Sequence, residues 1–67
     1  MTAKTEQEIH DIALLFFTYV PCNKLPKYMV DQIEKNNKRY GACGEVILES
    51  IHEAMCMRFV DGYEVTA

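Results

Sequence analysis

PCNKLP at residues 21–26 and YGACG at residues 40–44 are the two segments that decide the fold. Proline disfavours a helical conformation in the residue before it, and glycine favours the sharp turns that end helices. Around these segments the apolar residues recur with the spacing of an α-helix. The sequence therefore predicts one all-α domain over residues 1–67, a compact three-helix bundle with helices at about 5–20, 26–39 and 44–60 and a short irregular C-terminal tail.

The ends of the helices carry recognisable signals. Thr5 and Glu8 form a capping box, in which each side chain satisfies a backbone N–H of the other residue. Gly41 suits the position just after the second helix, where a left-handed backbone is common. Asn36 and Asn37 are poor helix formers, so we expect the last turn of the second helix to fray or to stop early.

The small size of the chain limits its stability. A domain of 67 residues buries about 60 % of the surface that its unfolded chain exposes, and its core supplies roughly 3 to 5 kcal/mol. The apolar fraction of 49 % and the charged fraction of 25 % are those of a folded protein and argue against wholesale disorder. The net charge of −3 argues against a protein that mainly coats nucleic acid. We therefore expect a disulfide, a metal ion or a partner subunit to add to the stability of the folded chain.

The cysteines favour a partner subunit over the other two sources of stability. Cys22, Cys43 and Cys56 have irregular spacing and form no disulfide framework, which is typical of a reducing cytosol. Together with His10 and His52 they contain no paired ligand spacing of the kind that zinc sites use. We therefore expect no metal and no cofactor.

The N-terminal region predicts a cytoplasmic protein without a membrane segment. Glu6, Glu8 and Asp11 occupy the place that a signal peptide keeps free of acidic residues. The longest apolar run covers residues 12–17, far fewer than the roughly 18 residues that indicate a membrane span.

Two of the predicted helices carry more apolar residues than one small domain needs. On a helical wheel the apolar residues of the first helix cover an arc of about 200°, from Leu15 at one edge to Phe17 at the other. This width indicates that the first helix is either the central helix of the bundle or is buried from two sides by a second subunit. The third helix has a second apolar side beside its main face. We expect a homodimer or larger oligomer, with a surface for the partner or for the second copy formed by Leu14, Phe17, Val46, Met57 and Val60.

Charge is segregated along the chain. Residues 24–39 have a net charge of +3 and residues 44–67 a net charge of −4. The second helix thus carries a basic ridge, defined here as Lys27, Lys35, Lys38 and Arg39. A ridge of this kind fits an acidic protein surface or a nucleic-acid backbone, or a solvated face that pairs with the first and third helices, including those of another subunit.

Arg58 is unusual because it falls within the apolar face of the third helix. One interpretation is that its long side chain reaches past the helix end, where the helix dipole favours a cation. The other is a half-buried structural ion pair with Asp11 or Glu64, which would set the register between helices or subunits.

No motif in the chain indicates catalysis, so we expect no enzyme. His52 and Glu53 resemble the start of the zinc-protease motif HExxH, but Cys56 stands where the second histidine belongs. The function we predict is a small protein-interaction module that binds a larger protein as a regulator or inhibitor. Small acidic chains without a motif are common among phage and mobile-element proteins, an analogy of composition only.

Two alternatives remain open. One is a dimeric, nucleic-acid-binding transcriptional regulator that uses the basic ridge, although a helix-turn-helix reading is disfavoured because Glu45 and Glu49 at the start of the third helix would repel phosphates. The other is a structural subunit that completes a larger assembly.

Overall fold

The computed structural model describes residues 4–63. It contains the helices α1 (Glu6–Tyr19), α2 (Lys27–Tyr40) and α3 (Gly44–Phe59), with one short 3-10 turn at Cys22–Lys24 between α1 and α2. The predicted all-α, three-helix fold is confirmed, and each helix begins and ends within one residue of its predicted position. The predicted tail beyond Tyr63 lies outside the described residues.

Of the two backbone hydrogen bonds in the predicted capping box, one is present at the start of α1. The Glu8 backbone N–H donates to the Thr5 hydroxyl oxygen at 3.2 Å, and that hydroxyl donates to the Glu8 carboxylate at 3.3 Å. The pairing of the two side chains takes the place of a bond from Glu8 to the Thr5 backbone. At its other end α1 stops because Val20, which precedes Pro21, is extended.

The predicted early end of α2 is wrong, since the helix continues to Tyr40. Asn36 is only 6 % exposed and its amide is hydrogen-bonded to α3, so tertiary contacts compensate for its low helix propensity. The helix ends as expected at Gly41, whose φ of 87° is strained for any residue with a side chain.

α3 is the central helix, because both α1 and α2 pack extensively against it. Within α3 the buried residues lie on more than one side of the helix: Ser50, Ile51, Ala54, Met55 and Cys56. The interpretation of α1 as the central helix is therefore wrong. The wide apolar arc of α1 misled because its two edges are exposed, Leu15 to 57 % and Phe17 to 40 %, while Ile9 in its middle is buried.

Both flanking helices run antiparallel to α3. Near the start of α1 the Lys4 N–H donates to the Phe59 carbonyl at 3.0 Å, while near its end the Phe17 ring lies beside Gly44. α2 likewise begins beside the end of α3, and Asn36 near its C-terminus meets Ser50. The connection between α1 and α2 must therefore return along much of α3, whose 16 residues span about 24 Å.

The core is small and lies where α1, α2 and the connection meet α3. Its buried apolar residues are Ile9, Ala13, Leu25, Met29, Ile51, Ala54, Met55 and Cys56. Leu25 belongs to the connection, so the returning segment is anchored by its own buried side chain. Each of these residues carries a large share of the free energy of unfolding, because the set is short.

We predict that Ile51→Ala abolishes cooperative folding at room temperature. Ile51 is fully buried, and its truncation costs roughly 2 to 5 kcal/mol, which is comparable to the whole stability expected of a domain this small. Urea unfolding followed by far-UV circular dichroism measures the effect. Leu15→Ala is the matched control on an exposed site and should retain a cooperative transition; an equal loss in both variants would contradict the assignment of the core.

Candidate interaction surfaces

A buried polar network joins α2 to α3. The Asn36 amide donates to the Ser50 hydroxyl at 2.8 Å and to the Glu53 carboxylate at 3.2 Å. The Gln32 amide donates to the other Glu53 oxygen at 3.4 Å, and the Ser50 hydroxyl donates to the Val46 carbonyl. Gln32, Asn36 and Ser50 are all buried. Because buried polar groups are costly without partners, the network favours one register of α2 on α3 and holds the Glu53 carboxylate in place.

Two clefts open on either side of Glu53. The first has a volume of about 260 Å³ and lies between the end of α2 and the start of α3. It is lined by Asn36, Tyr40, Cys43, Glu45, Val46, Glu49 and Glu53. Three of these are glutamates at successive turns of α3, and we call Glu45, Glu49 and Glu53 the acidic stripe. Glu45 and Glu49 are exposed, and Glu53 is half-buried.

The second cleft lies between α1 and α3 and has a volume of about 450 Å³. It is lined by His10, Leu48, Glu49, His52, Glu53 and Tyr63. The two imidazole rings meet edge to face, with centroids 5.8 Å apart. His10 is exposed, as expected for a polar-face residue, and His52 is half-buried. The contact between His10 and His52 could not be predicted from their spacing in the sequence, because it arises from the antiparallel packing of α1 on α3.

Cys56 lies behind His52, with its sulfur 3.5 Å from the His52 Nε2. The side chain is inaccessible to solvent, and burial raises the pKa of the Cys56 thiol, with smaller contributions from Glu6 and Glu53. A thiol of this kind stays protonated at neutral pH, whereas a nucleophilic cysteine needs a lowered pKa. Within residues 4–63 no three His, Cys, Asp or Glu side chains are arranged to hold a metal ion.

The four residues of the basic ridge are all exposed, but they do not share one side of α2. Lys27 and Lys38 lie opposite the inward side that Met29, Gln32 and Asn36 turn to α3. Arg39 lies within about 60° of that inward side, and its guanidinium carbon is 5.9 Å from the centroid of the Tyr40 ring.

Among the described residues the one ion pair joins the Lys27 amine to the Asp31 carboxylate at 4.0 Å, and both side chains are largely exposed. Lys35, Lys38 and Arg39 thus have no carboxylate of residues 4–63 within 4.0 Å. Pairing of these three cations with α1 or α3 of the same chain is not observed.

The five apolar residues predicted to face a partner do not form one patch. Leu14, Phe17 and Met57 are 45 %, 40 % and 47 % exposed, whereas Val46 and Val60 are half-buried. Phe17 lies beside Gly44, on the side of α3 that carries α1. Val46 lies about 160° from Gly44 on the α3 wheel, in the first cleft, and Met57 lines a separate groove beside α2.

Among residues 4–63, α1 carries four of the six large exposed apolar side chains. We call Leu14, Leu15, Phe17 and Tyr19 the outer face of α1, in which Leu14 and Phe17 lie on one edge and Leu15 and Tyr19 on the other. Leu15 is 57 % exposed and Tyr19 is 76 % exposed, and the two are one helical turn apart. Sequence reasoning assigned both to the buried arc. The sequence of α1 alone does not show that Leu15 and Tyr19 are exposed, because only the position of α3 decides which part of a wide apolar arc becomes core.

The side chain of Arg58 is exposed and stacks on an aromatic ring. Its guanidinium carbon lies 4.6 Å from the centroid of the Tyr28 ring in α2, a cation–π contact. The predicted ion pair with Asp11 does not form within 4.0 Å, and the guanidinium contacts Tyr28 instead. Glu64, the other predicted partner, lies outside the described residues.

No family model, curated protein or solved structure matches this chain. Every helix in residues 4–63 is too short or too polar to cross a membrane.

We predict that Asn36 and Ser50 are energetically coupled. Asn36→Ala removes the donor to Ser50 and one of two amide donors to Glu53, which costs about 1 to 3 kcal/mol. Urea unfolding of both single variants and of the double variant should show a coupling energy of about 0.5 kcal/mol or more. Asn23→Ala, at an exposed asparagine, is the control and should leave stability almost unchanged. Strictly additive effects would contradict a shared network.

The raised pKa of Cys56 predicts a loss of stability at alkaline pH. The folded protein retains the thiol proton after the unfolded chain has lost it, so the contribution is complete below the ordinary thiol pKa of 9.0 and declines as the pH rises above it. Urea unfolding between neutral and alkaline pH should give a steeper decline for the native chain than for Cys56→Ala. Cys22→Ala and Cys43→Ala, at exposed cysteines, should keep the native slope; equal slopes in all four proteins would contradict the prediction.

Proposed function

We propose that this chain is a small, non-catalytic, cytoplasmic interaction module that regulates or inhibits a larger protein by docking the outer face of α1 on it. The observation that carries the proposal is the exposure of four large apolar side chains on one helix, between 40 % and 76 % for Leu14, Leu15, Phe17 and Tyr19. Only eight apolar residues among residues 4–63 are buried in the core, and α1 keeps large apolar side chains exposed. When a partner covers this surface, the complex is stabilised by about 25 cal/mol for each Å² of apolar surface removed from water.

The composition of this face suits a protein interface. Tyr19 offers a large, rigid and amphipathic side chain, the type of residue that often dominates binding energy. The polar residues Asp11 and Thr18 are exposed between the two edges of this face, so the proposed interface combines apolar edges with a polar centre. The helix is already formed and packed on α3, so little conformational entropy is lost when it binds.

The remaining features are consistent with this role. Burial raises the pKa of the Cys56 thiol, so this cysteine stays protonated at neutral pH. Cys22 and Cys43 are free and exposed, which suits a reducing compartment.

A nucleic-acid-binding regulator is the second candidate, and one observation favours it. Lys35, Lys38 and Arg39 are exposed cations with no carboxylate of residues 4–63 within 4.0 Å, although Asp31 and Glu34 stand one turn before the two lysines. Such cations can contact phosphates and release counterions. The acidic stripe on α3 works against a close approach of nucleic acid, so this candidate ranks below the protein partner.

The two candidates predict opposite effects of two matched double variants. Leu15→Glu with Tyr19→Glu places charge on the outer face of α1, and Lys35→Gln with Lys38→Gln neutralises the centre of the basic ridge. With extracts of the source cells, affinity capture should recover one partner protein in fixed ratio with the native chain and with the ridge variant. Recovery should fall about tenfold or more with the α1 variant.

Unfolding measurements provide the control, because both pairs of sites are exposed and both variants should keep their stability within about 0.5 kcal/mol. If nucleic acid is recovered instead, with a steep dependence on salt and a loss only in the ridge variant, the second candidate is correct. Equal capture by all three proteins would exclude the outer face of α1 as the docking surface.

A further inference from the structure

His52 and Cys56 place two metal-ligating atoms close together on α3. The Cys56 sulfur lies 3.5 Å from the His52 Nε2. On a tetrahedral zinc ion, a nitrogen at about 2.0 Å and a sulfur at about 2.3 Å are themselves separated by about 3.5 Å. The two residues are four positions apart, a spacing that zinc sites also use for paired histidines. The sequence expectation of no paired ligand spacing overlooked this pair.

α1 carries a second pair of possible ligands at the same spacing. Glu6 and His10 are four residues apart, and both are exposed. A carboxylate oxygen and an imidazole nitrogen are both ordinary zinc ligands. Because residues four apart lie on the same face of a helix, each pair presents its two ligands on one side of its helix.

The antiparallel packing of α1 on α3 brings the two pairs level with each other. The ring centroids of His10 and His52 are 5.8 Å apart. One turn from this contact, toward the start of α1 and the end of α3, Glu6 comes level with Cys56. The backbone hydrogen bond between the start of α1 and the end of α3 fixes this register. Burial and, after it, the Glu6 carboxylate raise the pKa of the Cys56 thiol, as expected of neighbouring groups.

From this register we propose that four side chains bind one zinc ion and tie α1 to α3: Glu6, His10, His52 and Cys56. Two imidazoles on one tetrahedral zinc ion have ring centroids about 5 Å apart, close to the observed separation. In the structure no three of the four side chains surround one point, so the site closes when Glu6 and His10 turn toward α3. Both side chains are exposed, and the cleft of about 450 Å³ beside the histidines gives the ion access.

The charges of the four ligands suit a divalent ion. On binding, the Cys56 thiol gives its proton to the solvent and coordinates as a thiolate, while both imidazoles coordinate in their neutral form. The thiolate and the Glu6 carboxylate together balance the charge of Zn²⁺, so the half-buried site carries no net charge. Glu49 and Glu53, which line the same cleft, further favour the entry of a cation.

A zinc ion at this place would stabilise the contact between two helices of a domain with a small core. Metal binding adds to the free energy of folding, and chains of this size often need such a cross-link. This inference stands independently of the proposed function, which uses the outer face of α1.

The first test is a calorimetric titration of the metal-free, reduced native chain with Zn²⁺. The chain should bind about one ion and release about one proton, and excess Zn²⁺ should raise its Tm by about 5 °C or more. Co²⁺, used as a spectroscopic probe, should give the visible absorption of a tetrahedral site and the near-ultraviolet band of a thiolate ligand. The absence of binding overturns the inference. A Co²⁺ complex without the thiolate band also overturns it and leaves the contact of His52 with Cys56 as an S–H···N hydrogen bond.

The second test removes single ligands. His10→Gln and Cys56→Ala should each weaken Zn²⁺ binding at least about tenfold, and Cys56→Ala should also abolish the thiolate band. His10 is exposed, so His10→Gln should keep the native circular dichroism spectrum and separates loss of a ligand from loss of the fold. Glu6→Gln should weaken binding as well, whereas Glu45→Gln, at another exposed glutamate near the start of a helix, should not.

Cys22→Ser with Cys43→Ser is the matched control, because it removes both exposed cysteines and should keep the native affinity and the thiolate band. Loss of binding in this control, or native affinity in His10→Gln or Cys56→Ala, overturns the inference. The variant Leu15→Glu with Tyr19→Glu should bind Zn²⁺ like the native chain, so failure of this inference and failure of the proposed function give different results.

Discussion

The packing of two helices on α3 is the constraint on which the rest of the structure depends. α1 and α2 both pack against α3, and five of its sixteen residues are buried. A domain of this size can bury only a few side chains. Because these side chains pack against or belong to α3, they form a single core. The same arrangement leaves the far sides of α1 and α2 without intramolecular cover, and those sides carry the apolar and basic surfaces.

The register of α2 is set by polar atoms as well as by apolar ones. Gln32 and Asn36 occupy buried positions where most helices place leucine or isoleucine, and their amides hold the Glu53 carboxylate. A polar network is satisfied only in one alignment, whereas apolar contacts tolerate a shift with less penalty. The network also explains why a charged group is tolerated at the interface of α2 and α3, and it places Glu53 between the two clefts.

The exposed apolar, basic and acidic side chains are concentrated on different helices. α1 exposes most of the large apolar side chains, α2 exposes four cations beside the carboxylates of Asp31 and Glu34, and α3 exposes Glu45 and Glu49. Arg58 does not add to the basic ridge, because its guanidinium is stacked on Tyr28.

Local features of the sequence determined the helices. Thr5 at the start of α1, the proline after Val20 and Gly41 after α2 act within a few residues, so their effects can be read without knowing the fold. The basic ridge was also predictable, because a surface helix exposes its charged residues wherever it packs. The tertiary structure alone decided which helix is central, which part of the α1 arc is buried, and that His10 meets His52. It also decided the burial of Asn36 and the exposure of Leu15 and Tyr19. These depend on contacts between residues far apart in the chain, and helical periodicity gives the direction of a side chain around its own axis but not the position of the neighbouring helix.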